Sequence, residues 1–374
     1  MAPLLALLTL LLLPPSLSLL RLPAAFHGPR CPHRPHLERH PDPGRAPGIA
    51  LFAETESPPS SPQALAFDLP AYLSLHLPSV TSALETSLAD QTVPETSTIT
   101  SAMLYSLLAG GKRIRPMLCL LTADAFLRPH AAVLPLAVAV EMVHTMSLIH
   151  DDLPAMDDDD YRRGKPTCHK VYGEDVAILA GDALLSTAFA VLAKRTPRGE
   201  IGGEEGGREG RLLDAVVRLG EAVSATGLAG GQVMDLQCEG RPSAEVSVDD
   251  LKWIHTHKTA KLLNICVAAS AVLSGASPPQ VRSLELFADK VGLAFQVADD
   301  ILDVTASSDA LGKTAGKDEA TDKATYVRKL GLDGAREEAE RLVREAKGHL
   351  DELGFGGRVD GLKAIADFII DRKN

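Results

Sequence analysis

Hydrophobic residues recur at i, i+3, i+4 and i+7 through residues 131–149, 174–193, 212–226, 251–273 and 281–303. That is the period of a helix with one face buried. No stretch alternates polar and apolar residues for long enough to predict a strand. The pattern predicts an all-α domain of about ten helices, beginning near residue 66. One internal break interrupts it. Between Arg195 and Arg211 the chain carries Gly199, Gly202, Gly203, Gly206, Gly207 and Gly210 among Glu and Arg, the composition of a surface loop.

The N-terminal segment has a different character. Residues 4–13 form a Leu-rich run that Pro14-Pro15 ends, too short to span a bilayer comfortably and suited to a signal-peptide core. No basic side chain precedes the run. Arg21, Arg30, Arg34, Arg39 and Arg45 then face only Glu38 and Asp42 before residue 50, which suits an organellar transit peptide. Secretory or ER entry and plastid import both fit these residues. The Ser57–Pro62 run has linker composition. Residues 1–65 are expected to be a targeting peptide and linker, and residues 66–374 the folded domain.

Composition adds exclusions. The 374 residues are 45% hydrophobic and 23% charged, so the chain can bury a substantial core. A net charge of −11 gives no basic footprint for nucleic acid. An anionic substrate remains compatible, because local cations can serve it within an acidic protein. Cys31, Cys119, Cys168, Cys238 and Cys266 form no CxxC pair, which argues for reduced thiols over a disulfide scaffold or structural zinc.

Two acidic clusters close strongly apolar helical stretches: Asp151-Asp152-Leu153-Pro154-Ala155-Met156-Asp157, followed by Asp158, Asp159 and Asp160, and Asp299-Asp300-Ile301-Leu302-Asp303. Asp299 and Asp303 are four apart and share a helix face, with Asp300 beside them. Pro154 is expected to distort the first helix and swing Asp157 toward Asp151. Carboxylates this dense repel one another unless hard cations lie between them, and an all-oxygen set favours Mg²⁺ bridging to phosphate. Cations are equally localised. Lys112 and Arg115 follow Gly110-Gly111, Arg162-Arg163 follow the first cluster, Lys258-Thr259 follow His255-Thr256-His257, and Lys313, Lys317 and Lys323 follow the second. Arg forks and Lys point charges suit diphosphate oxygens. His255 and His257, two apart, do not share a helix face and make a poor metal pair.

The segments DDLPAMD, YRRGKPT, GGKRIRP, HKTA, FQVADDILD and LGKTAGKD, in that set, resemble the trans-isoprenyl diphosphate synthase family, most nearly the plant geranylgeranyl diphosphate synthases, from about residue 66 to the C-terminus. The resemblance implies an all-α isoprenoid-synthase bundle around a central cavity, usually a homodimer, using two or three Mg²⁺ ions per active site. It implies that Asp151, Asp157 and Asp299 hold the metal, with Asp152, Asp300 and Asp303 as supporting carboxylates. Arg162, Lys258, Thr259, Gln296, Lys313 and Lys323 would meet the allylic diphosphate. Lys112, Arg115, His144 and Arg163 match positions that bind isopentenyl diphosphate. The implied reaction condenses isopentenyl diphosphate head-to-tail with C5 to C15 allylic diphosphates to give the C20 product. Met146 and Ser147, five and four residues before Asp151 with no aromatic plug, resemble the product wall of C20 makers.

The sequence also departs from the family. The plant enzymes often carry a CxxxC pair linked to small regulatory subunits, and here Ala123 follows Cys119 and Ser270 follows Cys266 at those spacings. That weakens the expectation of a heteromer. Asp158 and Cys168 stand where the family usually has Asn. Two other classes share the fold. A non-catalytic regulatory subunit typically loses the aspartates, which are all present. A terpene cyclase has no use for Lys112, Arg115 and His144. A synthase of another chain length stays open at this point.

Overall fold

The structure is a computed structural model that describes residues 67–198, 207–239, 241–305 and 323–371. The expected targeting segment and linker, Lys313 and Lys317, and residues 199–206 of the Gly-rich break lie outside the described residues. The described helices are α1 (Leu69–Thr86), α2 (Ser97–Leu107), α3 (Ile114–Ala125), α4 (Leu134–Asp151), α5 (Cys168–Tyr172), α6 (Glu174–Arg195) and α7 (Gly207–Val223). They continue with α8 (Leu228–Glu239), α9 (Val248–His255), α10 (Lys261–Leu273), α11 (Pro278–Thr305), α12 (Tyr326–Asp351) and α13 (Asp360–Asp371). The all-α expectation holds.

Helices α4 and α10 are buried around nearly their whole circumference, which marks them as the centre of the bundle. α4 packs against α3 and α6, and α10 against α3, α7 and α11, while α11 and α12 form a long pair. Local signals set several ends. The Asp68 carboxylate accepts the amide of Ala71 at 2.9 Å and caps α1, satisfying a donor that the first turn leaves open. Ser247 and Asp250 exchange bonds of 3.0 and 2.9 Å in a capping box that starts α9.

Three expectations need correction. The apolar period over 251–273 belongs to two helices, α9 and α10, joined by a π turn at Thr256–Ala260. Two glycines make room for that turn. A Cβ on Gly231 of α8 would lie 2.2 Å from the Lys258 nitrogen, and one on Gly292 of α11 would lie 2.4 Å from Ala260 Cβ. The turn is therefore wedged between two helices at backbone contact. The Gly-rich break is shorter than its composition suggests. Residues 207–211 are helical because Ala215, Leu219 and Ala222 anchor α7 in the core. Finally, a two-residue antiparallel pair, β1 (Tyr161–Arg162) with β2 (Lys165–Pro166), follows the first acidic cluster. It is too short to show alternation. Its turn residues Arg163 and Gly164 have φ of 53° and 73°, the left-handed pair of a tight hairpin.

Candidate active site

The first acidic cluster begins where α4 ends. The helix stops at Asp151 rather than bending through Pro154, and the Asp157 amide donates to the Asp151 carbonyl at 2.9 Å. The loop thus returns Asp157 to Asp151, the expected outcome reached by termination instead of a kink. Burial pushes the Asp151 carboxyl up to about 6, with Asp157 and Asp235 adding to the rise and Lys258 opposing it. Asp152 is turned inward, 3% exposed, and Arg162 grips it through Nε at 2.7 Å and its terminal nitrogen at 2.5 Å. Burial raises Asp152, against the pull of Arg162.

The second cluster lies on the last turns of α11. Asp299 is half-buried. Asp300 points into the packing and accepts the Tyr326 amide at 2.7 Å, so it holds the start of α12. Asp303 is 7% exposed, and its Oδ2 is buried without a hydrogen-bond partner among the described residues. A buried carboxylate oxygen left unpaired is costly.

The π turn joins the two clusters. Lys258 Nζ lies 3.8 Å from Asp151, and Thr259 donates its hydroxyl to Gln296 at 2.9 Å, one turn before Asp299 on α11. Lys258 is also held by Asp235 at 2.7 Å. Lys323 reaches Asp235 at 3.3 Å and Glu239 at 2.7 Å. Burial would raise Asp235, but Lys258 and Lys323 outweigh it and keep the carboxyl below its usual range. His257 is engaged elsewhere, bonded through Nδ1 to the Trp253 carbonyl at 2.7 Å and stacked on the Trp253 indole at 4.0 Å.

Two of the cations expected at the other diphosphate, Arg115 and Arg163, lie near His144. The imidazole is held well below its ordinary value, by burial first and then by Arg115, Arg163, Arg162 and Arg113. It is therefore neutral at pH 7 and offers hydrogen bonds without adding charge. Arg115 Nε is buried without a hydrogen-bond partner among the described residues. Burial lowers the Arg115 guanidinium, with Cys266, Glu141 and Asp299 countering. Arg163 donates to the Gly110 carbonyl, and its guanidinium covers Gly111, where a Cβ would meet it at 3.0 Å. Lys112 is exposed. Met146 is 6% exposed on α4, and Ser147 donates its hydroxyl to the His144 carbonyl at 2.9 Å.

Sequence reasoning missed the face of α8. Gln232, whose side-chain amide donates to Asp151, Asp235 and Glu239 are spaced i, i+3, i+7 and line one side of the helix. That spacing was the available signal. It also missed Arg113. The residue has φ of 51° and is 5% exposed, bonded to Glu141 at 2.5 Å and to the Leu107 carbonyl at 2.6 Å, and so pins the junction between the loop that carries Lys112 and the first turn of α3, which carries Arg115.

The donor set is all-oxygen, with a buried orphan oxygen on Asp303 and a burial-strained carboxyl on Asp151, and a hard divalent cation would relieve both. Among the described residues no three ligating side chains converge tightly enough to hold an ion alone.

Residues 96–352 match the family model for polyprenyl synthetase. The chain is 48% identical over 323 residues to a chloroplastic geranylgeranyl pyrophosphate synthase of Capsicum annuum, covering 86% of this chain and 81% of the relative. It is 48% identical over 322 residues to the chloroplastic heterodimeric geranylgeranyl pyrophosphate synthase large subunit 1 of Arabidopsis thaliana, covering 85% and 82%. Among solved structures, an FPP/GFPP synthase from Zymomonas mobilis superimposes with a TM-score of 0.69 at 33% identity, covering 80% of this chain and 99% of that one. A putative farnesyl-diphosphate synthase from Marinomonas sp. MED121 gives 0.67 at 35% identity, covering 82% and 100%.

Proposed function

The chain belongs to the polyprenyl synthetase family, and from that premise we propose that it is a prenyltransferase condensing isopentenyl diphosphate with C5 to C15 allylic diphosphates to give geranylgeranyl diphosphate. The observation that carries the reading is the π turn, which ties both acidic clusters into one site through Lys258 near Asp151 and Thr259 on Gln296. Two carboxylate clusters joined by a cationic turn support the reading of one diphosphate site better than either motif alone. The relatives named as geranylgeranyl pyrophosphate synthases support the C20 product.

In this mechanism Asp151, Asp157 and Asp299 would hold two or three Mg²⁺ ions, with Asp152, Asp300 and Asp303 in support; when bound, the metal supplies positive charge for the departing diphosphate. Lys258, Thr259, Gln296, Lys323 and Arg162, with Lys313, bind that same group. They stabilise the negative charge that develops as the allylic carbon–oxygen bond breaks. Lys112, Arg115, Arg163 and neutral His144 orient isopentenyl diphosphate. Its double bond attacks the allylic cation, and a proton leaves to the released diphosphate. The remaining share of the protein is alignment in a water-poor cavity. Met146 and Ser147 form the wall that the growing chain meets.

The folded catalytic domain is taken as 66–374, preceded by a targeting segment at 1–65. Plastid import is supported by the chloroplastic relatives. A homodimer is supported by the apolar outer face of α6, where Ile178 and Leu179 are 45% and 55% exposed. Association with a small regulatory subunit is suggested by the relative named as a heterodimeric large subunit, and the incomplete CxxxC pairs stand against it. The test is turnover of Asp151→Ala and Asp299→Ala with saturating Mg²⁺. The expected loss is about a thousandfold or more, and near-normal turnover in either would refute the metal-clamp assignment.

A further inference from the structure

Lys112 and Arg115 stand at the start of α3, beside a group of arginines. Arg113, Arg115, Arg162 and Arg163 all act on His144, and Arg163 is lowered by burial and, in turn, by Arg113, Arg162 and Arg115, with Glu141 countering. Lys112 precedes Arg113 in the chain and is exposed, where a long side chain can take many directions. Yet its Nζ lies over the ring of Phe368, 5.0 Å from the centroid, within the range at which an aromatic face attracts a cation. Phe368 comes from α13, which is remote in sequence and firmly seated. Gly361 lets α13 approach so closely that a Cβ there would lie 2.4 Å from Leu121 of α3. Lys363 bonds Asp351 at 2.6 Å, and Lys347 bonds Asp367, the residue before Phe368.

We infer that Phe368 is a positioning residue for the condensation: its ring orients the exposed Lys112 ammonium, so that the C-terminal helix sets the affinity for isopentenyl diphosphate. The inference rests on the assignment of Lys112 to that substrate. It goes beyond it because α13 carries none of the acidic or basic motifs. The ring cannot bond diphosphate itself, so its effect is confined to the one substrate that Lys112 meets.

The test uses the full chain and measures kcat, the KM for each of the two diphosphates, and the thermal midpoint. Phe368→Leu is expected to raise the KM for isopentenyl diphosphate about two- to fivefold and to leave kcat and the allylic KM unchanged. Phe368→Tyr is expected to restore the wild-type value. In a Lys112→Ala background, where that KM is already raised, Phe368→Leu is expected to add nothing. If Lys112→Ala raises the KM and Phe368→Leu does not, the inference is overturned and the assignment of Lys112 stands. If Lys112→Ala leaves that KM unchanged, the assignment itself fails, and the inference with it. A Phe368→Leu protein with a lowered midpoint and both KM values raised would mean that the ring only packs α13.

Discussion

Asp235 holds the Lys258 ammonium at 2.7 Å, on the side of the π turn opposite α11, and Lys258 reaches toward Asp151 at 3.8 Å. The same carboxylate takes Lys323 at 3.3 Å. One buried anion therefore sets the positions of two cations assigned to the allylic diphosphate. Gln232, one turn earlier on α8, donates to Asp151 itself. α8 acts as a rail along which the side chains proposed to hold metal and those proposed to hold phosphate are aligned.

Replacing Asp235 by Asn keeps the shape and removes the charge. Lys258 and Lys323 then lose a charge-assisted bond each and repel one another. Such bonds contribute about 1.5–3 kcal/mol, so kcat/KM for the allylic diphosphate is expected to fall roughly 10- to 100-fold, with the KM for isopentenyl diphosphate unchanged. Steady-state kinetics with each substrate varied in turn checks this, and an unaltered kcat/KM would show that Asp235 does not align the lysines.

Stability should respond to acid through His255. The imidazole is buried, stacked on Tyr326 at 5.6 Å, and burial lowers it to about 4. In the unfolded chain it takes a proton near pH 6.5. Between those values the unfolded state binds the additional proton, so stability falls as the pH drops from 6.5 toward 4 and is complete above that window. His255→Phe removes this component. The stability lost between pH 7 and pH 5, measured by denaturant unfolding, is expected to be smaller in the variant by about 2 kcal/mol. Equal losses in both proteins would contradict the buried neutral imidazole.

Product length should respond to α4. Met146 is buried five residues before Asp151, and Ser147 is half-buried beside it. If these residues form the proposed wall, Met146→Phe or Ser147→Phe adds a ring there and is expected to shift the product from C20 toward C15. Chromatography of the dephosphorylated alcohols reports the outcome, and an unchanged profile in both variants would remove these residues from the wall.

The helices with a one-sided apolar period, α7 and α11 above all, were legible in the sequence, as were the carboxylates that close α4 and α11. The π turn was not. Its residues lie inside a continuous apolar period, and the irregularity arises where Gly231 and Gly292 let two other helices touch the turn. Asp235 was illegible for a related reason. Its i, i+3, i+7 spacing with Gln232 and Glu239 reads equally as a solvated polar face until the fold brings Lys258 and Lys323 to it. Arg113 reads as one more cation of its loop, while its left-handed backbone and its bond to Glu141 make it the anchor of that loop.

The central claim is that one pocket joins isopentenyl diphosphate to an allylic diphosphate and stops at twenty carbons. The most direct measurement incubates the purified protein with Mg²⁺, isopentenyl diphosphate and each of the C5, C10 and C15 allylic diphosphates, then sizes the dephosphorylated products. A dominant C20 alcohol from every starter, and no turnover without isopentenyl diphosphate, are expected. A folded protein that elongates none of them, or that consumes the allylic diphosphate without isopentenyl diphosphate, would contradict it.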